Sequence, residues 1–423
     1  MVKDFTQFRI EPGFDTYISQ PILSKTISVY LFNISKLNKN HTSIYSLIPN
    51  ILSRGTSMYQ TSYELNQKFA ELYGLRFDST AMKRGDFLVN RFRMVFPDQK
   101  YIQSNPNLLE ETLKLMYEII NRPFLEDGEF LEEYIEQAKN NQLILLKNLK
   151  DNRFPYALSK FDAHLCANEP FAINALGSEE EIKSINKESI FHYYNQMLTN
   201  NTLLFVRGNV EHDQVLKDVE NNFLLNRNEN VDALPVTHLF PHSQSLKEVV
   251  EISGSGQSIL IIGGRLGINR KHKEWIALET ALFILGGYPQ STLFKKVRDE
   301  QGLAYTVLCY PNSIKGIFNI IVGIDEKNLQ QTKQVILEEL YKIRDGQISE
   351  KEFQNAKQML LQQYITVLEN ATEHIETYLN GILAGGILSV QERIHILQNV
   401  SIHDVKRAAQ RIQPELIYFL KGE

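Results

Sequence analysis

The sequence contains no long apolar run, few cysteines and no cluster of basic residues. No stretch of about 18 apolar residues occurs, so we expect no membrane-spanning helix. The first ten residues lack the apolar core of a secretory signal. The two cysteines, Cys166 and Cys309, are too few for a cysteine-rich zinc site, and they favour reduced thiols in a cytoplasmic protein over a disulfide.

The charge balance excludes one further class of function. The chain has 45 Lys and Arg residues against 50 Asp and Glu residues, and its formal net charge is -5 at pH 7. Nucleic-acid binding depends on clustered positive charge, which is missing here. We therefore expect no nucleic-acid partner.

The 423 residues exceed one comfortable hydrophobic core, and the second half repeats the first. A strand, two helices, a Gly-Leu pair (Gly74-Leu75 or Gly302-Leu303), two strands around a glycine turn and two helices follow in the same order in both halves. We predict an α+β protein of two homologous domains, each a mainly antiparallel sheet with helices packed on one face. The predicted domains are 1–225 and 246–423, and the polar, proline-containing segment 226–245 is the predicted linker.

Two motifs carry information about function. Residues 46–56 read Ser-Leu-Ile-Pro-Asn-Ile-Leu-Ser-Arg-Gly-Thr, and residues 293–305 read Leu-Phe-Lys-Lys-Val-Arg-Asp-Glu-Gln-Gly-Leu-Ala-Tyr. With the duplicated layout, they resemble the pitrilysin/insulinase family of zinc peptidases, whose helix motif is H-x-x-E-H. The resemblance covers nearly the whole chain, and it implies that the two domains form half of a clam-like chamber.

The family's metal chemistry is missing from the first motif. Aligned on Gly55-Thr56, Ser46 and Asn50 take the places of the two histidines, and Pro49 takes the place of the glutamate base. The family's third ligand, a glutamate on a later helix, falls on Leu145. Zinc needs imidazole, thiolate or carboxylate ligands, and the attacking water needs a base. The resemblance therefore implies a chain that binds no metal and has no catalytic residue of its own.

The second motif is intact. The family places an arginine and a tyrosine seven residues apart, and Arg298 and Tyr305 match them. The resemblance implies that both side chains bind substrate, because guanidinium and phenol groups donate hydrogen bonds to a carbonyl or an oxyanion. The alternative is structural: Arg298 would form a salt bridge at a helix end, and Tyr305 would pack within a strand.

The resemblance therefore implies a non-catalytic subunit of a heterodimeric zinc protease or peptide-processing complex. A homologous partner with the H-x-x-E-H motif would hold the only zinc, and Arg298 and Tyr305 would reach its unfolded peptide substrate. Two alternatives stay open. One is a stand-alone peptide-binding or scaffold homodimer, and the other is an unusual peptidase with rebuilt ligands.

Overall fold

The computed structural model describes residues 4–20, 24–102, 107–224, 231, 233–243, 245–254 and 256–422. These residues form two compact units. The N-terminal unit holds residues up to 147 and residues 173–235, and the C-terminal unit holds residues 148–172 and those from 236 onward. Part of the predicted linker, namely 226–230, 232 and 244, lies outside the described residues.

The described part of the N-terminal unit forms a six-stranded sheet. Its strands are β1 (Thr6–Glu11), β2 (Phe14–Ser19), β3 (Thr26–Lys36), β4 (Arg76–Arg84), β5 (Phe87–Pro97) and β6 (Asn201–Arg207). Their order across the sheet is β1-β2-β6-β3-β5-β4. β2 runs parallel to β6, and the other neighbours are antiparallel.

The described part of the C-terminal unit forms a five-stranded sheet. Its strands are β7 (Lys247–Ile252), β8 (Ser258–Arg265), β9 (Ala304–Asn312), β10 (Ile317–Ile324) and β11 (Leu416–Lys421). Their order is β7-β11-β8-β10-β9, with β7 parallel to β11 and the other neighbours antiparallel.

Helices connect the strands of both sheets. In chain order they are α1 (Thr42–Leu52), α2 (Ser62–Glu71), α3 (Leu108–Asn121), α4 (Glu132–Asp151), α5 (Arg153–Leu165), α6 (Glu179–Ser184), α7 (Lys187–Thr199), α8 (His212–Asn222), α9 (Trp275–Gly286), α10 (Leu329–Arg344), α11 (Glu350–Glu369), α12 (Ala371–Leu383), α13 (Val390–Asn399) and α14 (Ile402–Ala409). A π-helical segment, Phe294–Glu300, stands where the sequence predicts an α-helix over 291–300. No helix among the described residues is both long and apolar enough to cross a membrane.

The two sheets have the same topology, which confirms the predicted class of two related α+β domains. The order β2-β6-β3-β5-β4 corresponds strand by strand to β7-β11-β8-β10-β9, including the one parallel pair. The likeness extends to single hydrogen bonds. Gly74 and Gly302 both have a left-handed backbone (φ 70° and 61°) and end the helical segment before β4 and β9. The amide of the following leucine then donates to a carbonyl six residues back in each copy.

The segment 148–172 departs from the predicted division, which placed it in the first domain. Here it belongs to the C-terminal unit, because α5 covers the second face of that unit's sheet. β8 is apolar on both faces: Leu260 and Ile262 lie in one core cluster, and Ile259 and Ile261 pack with α5 in another. A strand buried on both faces needs a second layer, which the sequence analysis did not provide.

Buried ion pairs tie the same segment to the sheet of the C-terminal unit. The guanidinium of Arg265 lies 2.5 Å from Glu169 and 2.6 Å from Glu415, and the ammonium of Lys315 lies 2.8 Å from Glu169. His242, which follows the linker's second proline, pairs with Glu415 at 2.8 Å. The side chain of His242 is thus engaged with a carboxylate.

Candidate functional site

The helix that would carry the zinc motif is α1, and its Ser46 makes a structural contact. The Ser46 side chain is buried, and its hydroxyl lies 2.8 Å from the carbonyl oxygen of Thr42 and within hydrogen-bond distance of that of Ala175. The single hydroxyl proton is shared between these two acceptors. Ser46 therefore joins α1 to the chain before α6.

Pro49 lies inside α1, and the helix continues through it. Proline has no N–H, so it cannot donate to the carbonyl of Tyr45 one turn earlier. The side-chain amide of Asn90, on β5, donates to that carbonyl instead, at 3.0 Å. The Pro49 carbonyl accepts from the hydroxyl of Ser79, on β4, at 2.9 Å. The Asn90 contact supplies the donor that proline lacks, which explains why proline is tolerated inside α1.

The remaining motif positions hold no group that could act as a zinc ligand. The side-chain oxygen of Asn50 accepts from Arg54 at 3.1 Å. Leu145, on α4, is 53% exposed and has no donor atom. A hydroxyl, an amide, a proline and a leucine do not fit zinc, which takes imidazole, thiolate or carboxylate ligands. Among the described residues, no group of three or more His, Cys, Asp and Glu side chains could hold a metal ion.

Sequence reasoning missed Gln142, which lies on α4 less than one turn before Leu145. Its buried side-chain amide donates to the carbonyl of Leu176 at 2.6 Å and to that of Ser43 at 3.3 Å. Like Ser46, it links α1 to the segment before α6. A buried glutamine on a polar helix stretch carries no motif, so only the fold reveals its role.

The C-terminal unit presents Arg298 and Tyr305 on its surface. Arg298 lies near the end of the π-helical segment, and its guanidinium stacks on the ring of Phe294 at 4.7 Å. Tyr305 is 81% exposed and is the extra residue of a β-bulge in β9, between the pairs Gly323–Thr306 and Ile324–Ala304. Bulges re-aim side chains at sheet edges. Within the described residues, neither side chain forms a polar contact, so their donor groups are unused.

A groove in the N-terminal unit lies beside the C-terminal end of α1. Its volume is about 630 Å³, and it is lined by Asn50 and Ser53 of α1, by α2, and by β4. β4 is the last strand in the sheet order, so one of its edges has no partner strand among the described residues. The apolar floor includes Leu65, Phe69 and Phe77. An open strand edge beside an apolar groove is suited to an extended peptide.

Comparisons with known proteins concern the family and the fold of the chain. Residues 184–360 match the family model described as Peptidase M16 inactive domain. The protein named "Probable inactive metalloprotease YmfF" from Bacillus subtilis is 26% identical over 411 residues, covering 97% of this chain and 96% of the relative. A crystal structure of a conserved protein from Enterococcus faecalis superposes with a TM-score of 0.89, at 26% identity and 99% coverage of both chains.

A third comparison concerns the fold alone. The crystal structure of a peptidase M16 inactive domain from Pseudomonas fluorescens superposes with a TM-score of 0.81 at 18% identity, covering 99% of this chain and 98% of that one. Together, the family match and the named relative support an inactive member of the pitrilysin, or M16, peptidase family.

Proposed function

We propose that this chain is the non-catalytic subunit of a two-chain zinc peptidase, and that Arg298 and Tyr305 bind the substrate at the partner's zinc. The partner would be a homologous chain with an intact H-x-x-E-H motif. The substrate would be an unfolded peptide. The chain would need no cofactor of its own, and we include a cytoplasmic location in the proposal.

The observation that carries the proposal is a difference between the two repeats. Aligned on Gly74 and Gly302, Arg298 corresponds to Ala70 and Tyr305 corresponds to Phe77. The N-terminal copy forms the same turn with alanine and phenylalanine, so the turn itself requires neither an arginine nor a tyrosine. Phe77 packs on Phe69 with the ring centroids 5.4 Å apart, whereas Tyr305 projects into solvent. This contrast disfavours the purely structural alternative for both residues.

The chemistry of the two side chains suits a peptide at a metal site. As water adds to a peptide carbonyl, its oxygen becomes negatively charged. A guanidinium and a phenol can donate hydrogen bonds to that oxygen or to a neighbouring carbonyl. Neither group activates water, and neither binds zinc well, so the metal and the base must come from another chain. The loss of all four motif positions in α1 and α4 supports this division of labour.

A second candidate function is peptide binding by this chain without an enzyme partner, as a scaffold or homodimer. The groove beside β4 favours it. An extended peptide could pair with the open edge of β4 and place an apolar side chain between Leu65 and Phe77. This function needs neither Arg298 nor Tyr305, so variants of those two residues separate it from the first.

The test is reconstitution with the homologous H-x-x-E-H chain encoded in the same organism. The native mixture should cleave unfolded peptides, and neither chain should do so alone. Arg298→Ala and Tyr305→Phe should each lower kcat by about 10²–10³, the typical effect of losing one oxyanion donor. Assembly, measured by light scattering, should be unchanged.

Matched controls come from the same chain. Arg344 also stacks on a ring of its own helix, Tyr341, at 4.6 Å, and Tyr101 is an exposed tyrosine elsewhere. Arg344→Ala and Tyr101→Phe should leave kcat unchanged. Effects below about threefold for Arg298→Ala and Tyr305→Phe in an assembled, active complex would contradict the proposed roles. Peptide affinity of the isolated chain that is lost in Phe77→Ser would then favour the second function.

A further inference from the structure

The sheet of the C-terminal unit ends in an exposed apolar strand. β7 is the first strand in the sheet order, so one of its edges has no partner strand among the described residues. Val250 and Ile252 of β7 are 63% and 65% exposed, and Leu246, one residue before the strand, is 42% exposed. Proteins usually cover or charge an open strand edge, because it pairs readily with another chain. An occupant of this edge is therefore expected.

The N-terminal unit covers the equivalent edge with a strand of its own. β2 corresponds to β7, and β1 pairs with β2 in the antiparallel direction. Phe8 and Ile10 of β1 pack against the apolar core of that unit, and every residue of β2 is buried. In the described part of the C-terminal unit, no strand takes the place of β1. A strand from another molecule would complete this sheet in the same way.

The backbone of β7 shows which groups the open edge offers. The amide of Lys247 donates to the carbonyl of Glu415 at 2.9 Å, on the side of β11. In a strand, the N–H and C=O groups of successive residues point to opposite edges. Those of Glu248, Val250 and Ile252 therefore point away from β11, and they are available to an added strand.

The side chains of β7 alternate between the two faces of the sheet. Val249 packs with the apolar cluster that includes α5, and the carboxylate of Glu251 lies 2.7 Å from His164 on α5. The exposed Val250 and Ile252 therefore lie on the opposite face. An added strand would bring its own apolar side chains beside them.

The residues of this edge are complementary to a second copy of themselves. Two antiparallel copies related by a two-fold axis at Val249 match apolar residues, opposite charges and outward backbone groups. The opposed pairs are Leu246–Ile252, Lys247–Glu251, Glu248–Val250 and Val249–Val249. The two neighbouring registers that keep the hydrogen-bond ladder centre on Glu248 or on Val250. Both lose the Lys247–Glu251 pair, and the first places Glu248 opposite itself.

The charge pair adds specificity to this register. Lys247 is exposed, and its ammonium forms no ion pair within the described residues. The side chain of Glu251 is 28% exposed, so it is held by His164 but is still accessible. Two-fold symmetry forms the Lys247–Glu251 contact twice, and opposite charges across strands favour the register that joins them.

We propose that two copies of this chain pair through β7 and form an antiparallel homodimer with its two-fold axis at Val249. The sheets of the two C-terminal units would then join into one continuous sheet. β9, which carries Tyr305, lies at the other end of the sheet order. The contact therefore leaves Tyr305 free, and the inference does not depend on the proposed function.

Sedimentation velocity of the full chain tests the interface. The native chain should sediment with twice its mass of 48.9 kDa at micromolar concentration and dissociate on dilution. Val250→Pro should be monomeric, because the lost N–H points to the open edge and serves no bond inside the sheet. Lys247→Glu should raise the Kd of the dimer about tenfold, since both charge contacts become repulsive. Lys327→Glu, at an exposed lysine outside β7, is the charge-matched control and should keep the native Kd.

A cysteine at the two-fold axis tests the register. Val249→Cys should form an intermolecular disulfide under mild oxidation, because opposed residues of a non-hydrogen-bonded pair have Cα atoms about 4.5 Å apart, within disulfide range. Val250→Cys is the control and should not cross-link, since Val250 lies opposite Glu248. The native Cys166 and Cys309 are buried and do not compete.

Three results would overturn the proposal. They are a monomeric native chain, a dimer that persists in Val250→Pro, and cross-linking of Val250→Cys in place of Val249→Cys. Should Val250→Pro not fold, a native Kd in Lys247→Glu together with no cross-link in Val249→Cys would refute the interface. A monomeric native chain whose Lys247→Glu variant binds the H-x-x-E-H chain more weakly would assign the edge to that chain and exclude self-pairing.

Discussion

Removing the side-chain amide of Asn90 should destabilise the N-terminal unit through the proline in α1. Pro49 leaves the buried Tyr45 carbonyl without its helical donor, and Asn90 supplies the replacement at 3.0 Å. Asn90→Ala removes this donor and buries an unsatisfied acceptor. The expected loss in the free energy of unfolding is about 1–3 kcal/mol.

A second substitution shows whether this mechanism is correct. Pro49→Ala restores an N–H that can donate to the Tyr45 carbonyl, so Asn90→Ala should cost less in that background. The coupling free energy of the double-mutant cycle should be at least about 1 kcal/mol. Two independent contacts would give additive effects and a coupling near zero.

The assay is urea-induced unfolding followed by fluorescence and circular dichroism. Asn33 provides the matched control, because it lies directly opposite Asn90 in the pairing of β3 with β5. Its amide donates to the carbonyl of Met197 at 2.7 Å, away from α1. Asn33→Ala should also destabilise the unit, but its cost should be the same with Pro49 or Ala at position 49. A coupling as large for Asn33 as for Asn90 would refute the reasoning.

Two further predictions concern the vestigial site and its surroundings. The triple variant Ser46→His/Pro49→Glu/Asn50→His should retain little zinc after gel filtration, as measured by elemental analysis. Adding Leu145→Glu should bring the zinc content toward one ion per chain, because a catalytic zinc site takes three protein ligands. Stoichiometric zinc in the triple variant would show that the third ligand is misplaced. Gly177→Ala should lower the free energy of unfolding by about 2–5 kcal/mol, because the left-handed backbone (φ 74°) is strained for alanine and the new Cβ would lie 1.7 Å from the Ser43 hydroxyl. Gly74→Ala is the control for the backbone effect alone, since the φ of Gly74 is 70° and no atom lies within 4 Å of the new Cβ. Equal losses in the free energy of unfolding for Gly177→Ala and Gly74→Ala would contradict the proposed overlap with Ser43.

Much of the fold follows from local sequence patterns. Apolar periodicity and the recurring Gly-Leu pair predicted the duplicated layout, because a left-handed glycine after a helix is a local requirement. The placement of the degenerate zinc motif by its distance from Gly55-Thr56 stays a prediction. The assignment of 148–172 to the C-terminal unit could not be predicted, because it depends on which sheet has a second apolar face that a helix must bury. Asn90 and Gln142 were missed for the same reason: each completes a hydrogen bond with a residue far away in sequence.

The two repeats show how one backbone arrangement can be held together by different side chains. In the N-terminal unit, the junction of α1, α4 and the chain before α6 is closed by Ser46 and Gln142, which donate to main-chain carbonyls. In the C-terminal unit, α9 and α13 follow β8 and α12 as α1 and α6 follow β3 and α5. Arg393, on α13, donates to the carboxylate of Glu279, on α9. The Ser43 hydroxyl, on α1, also donates to the Glu181 carboxylate, on α6. Different side chains therefore join the equivalent helices in the two units, and both junctions include a charged group. The turn does not account for the exposed Arg298 and Tyr305, because the N-terminal copy forms the same turn with alanine and phenylalanine.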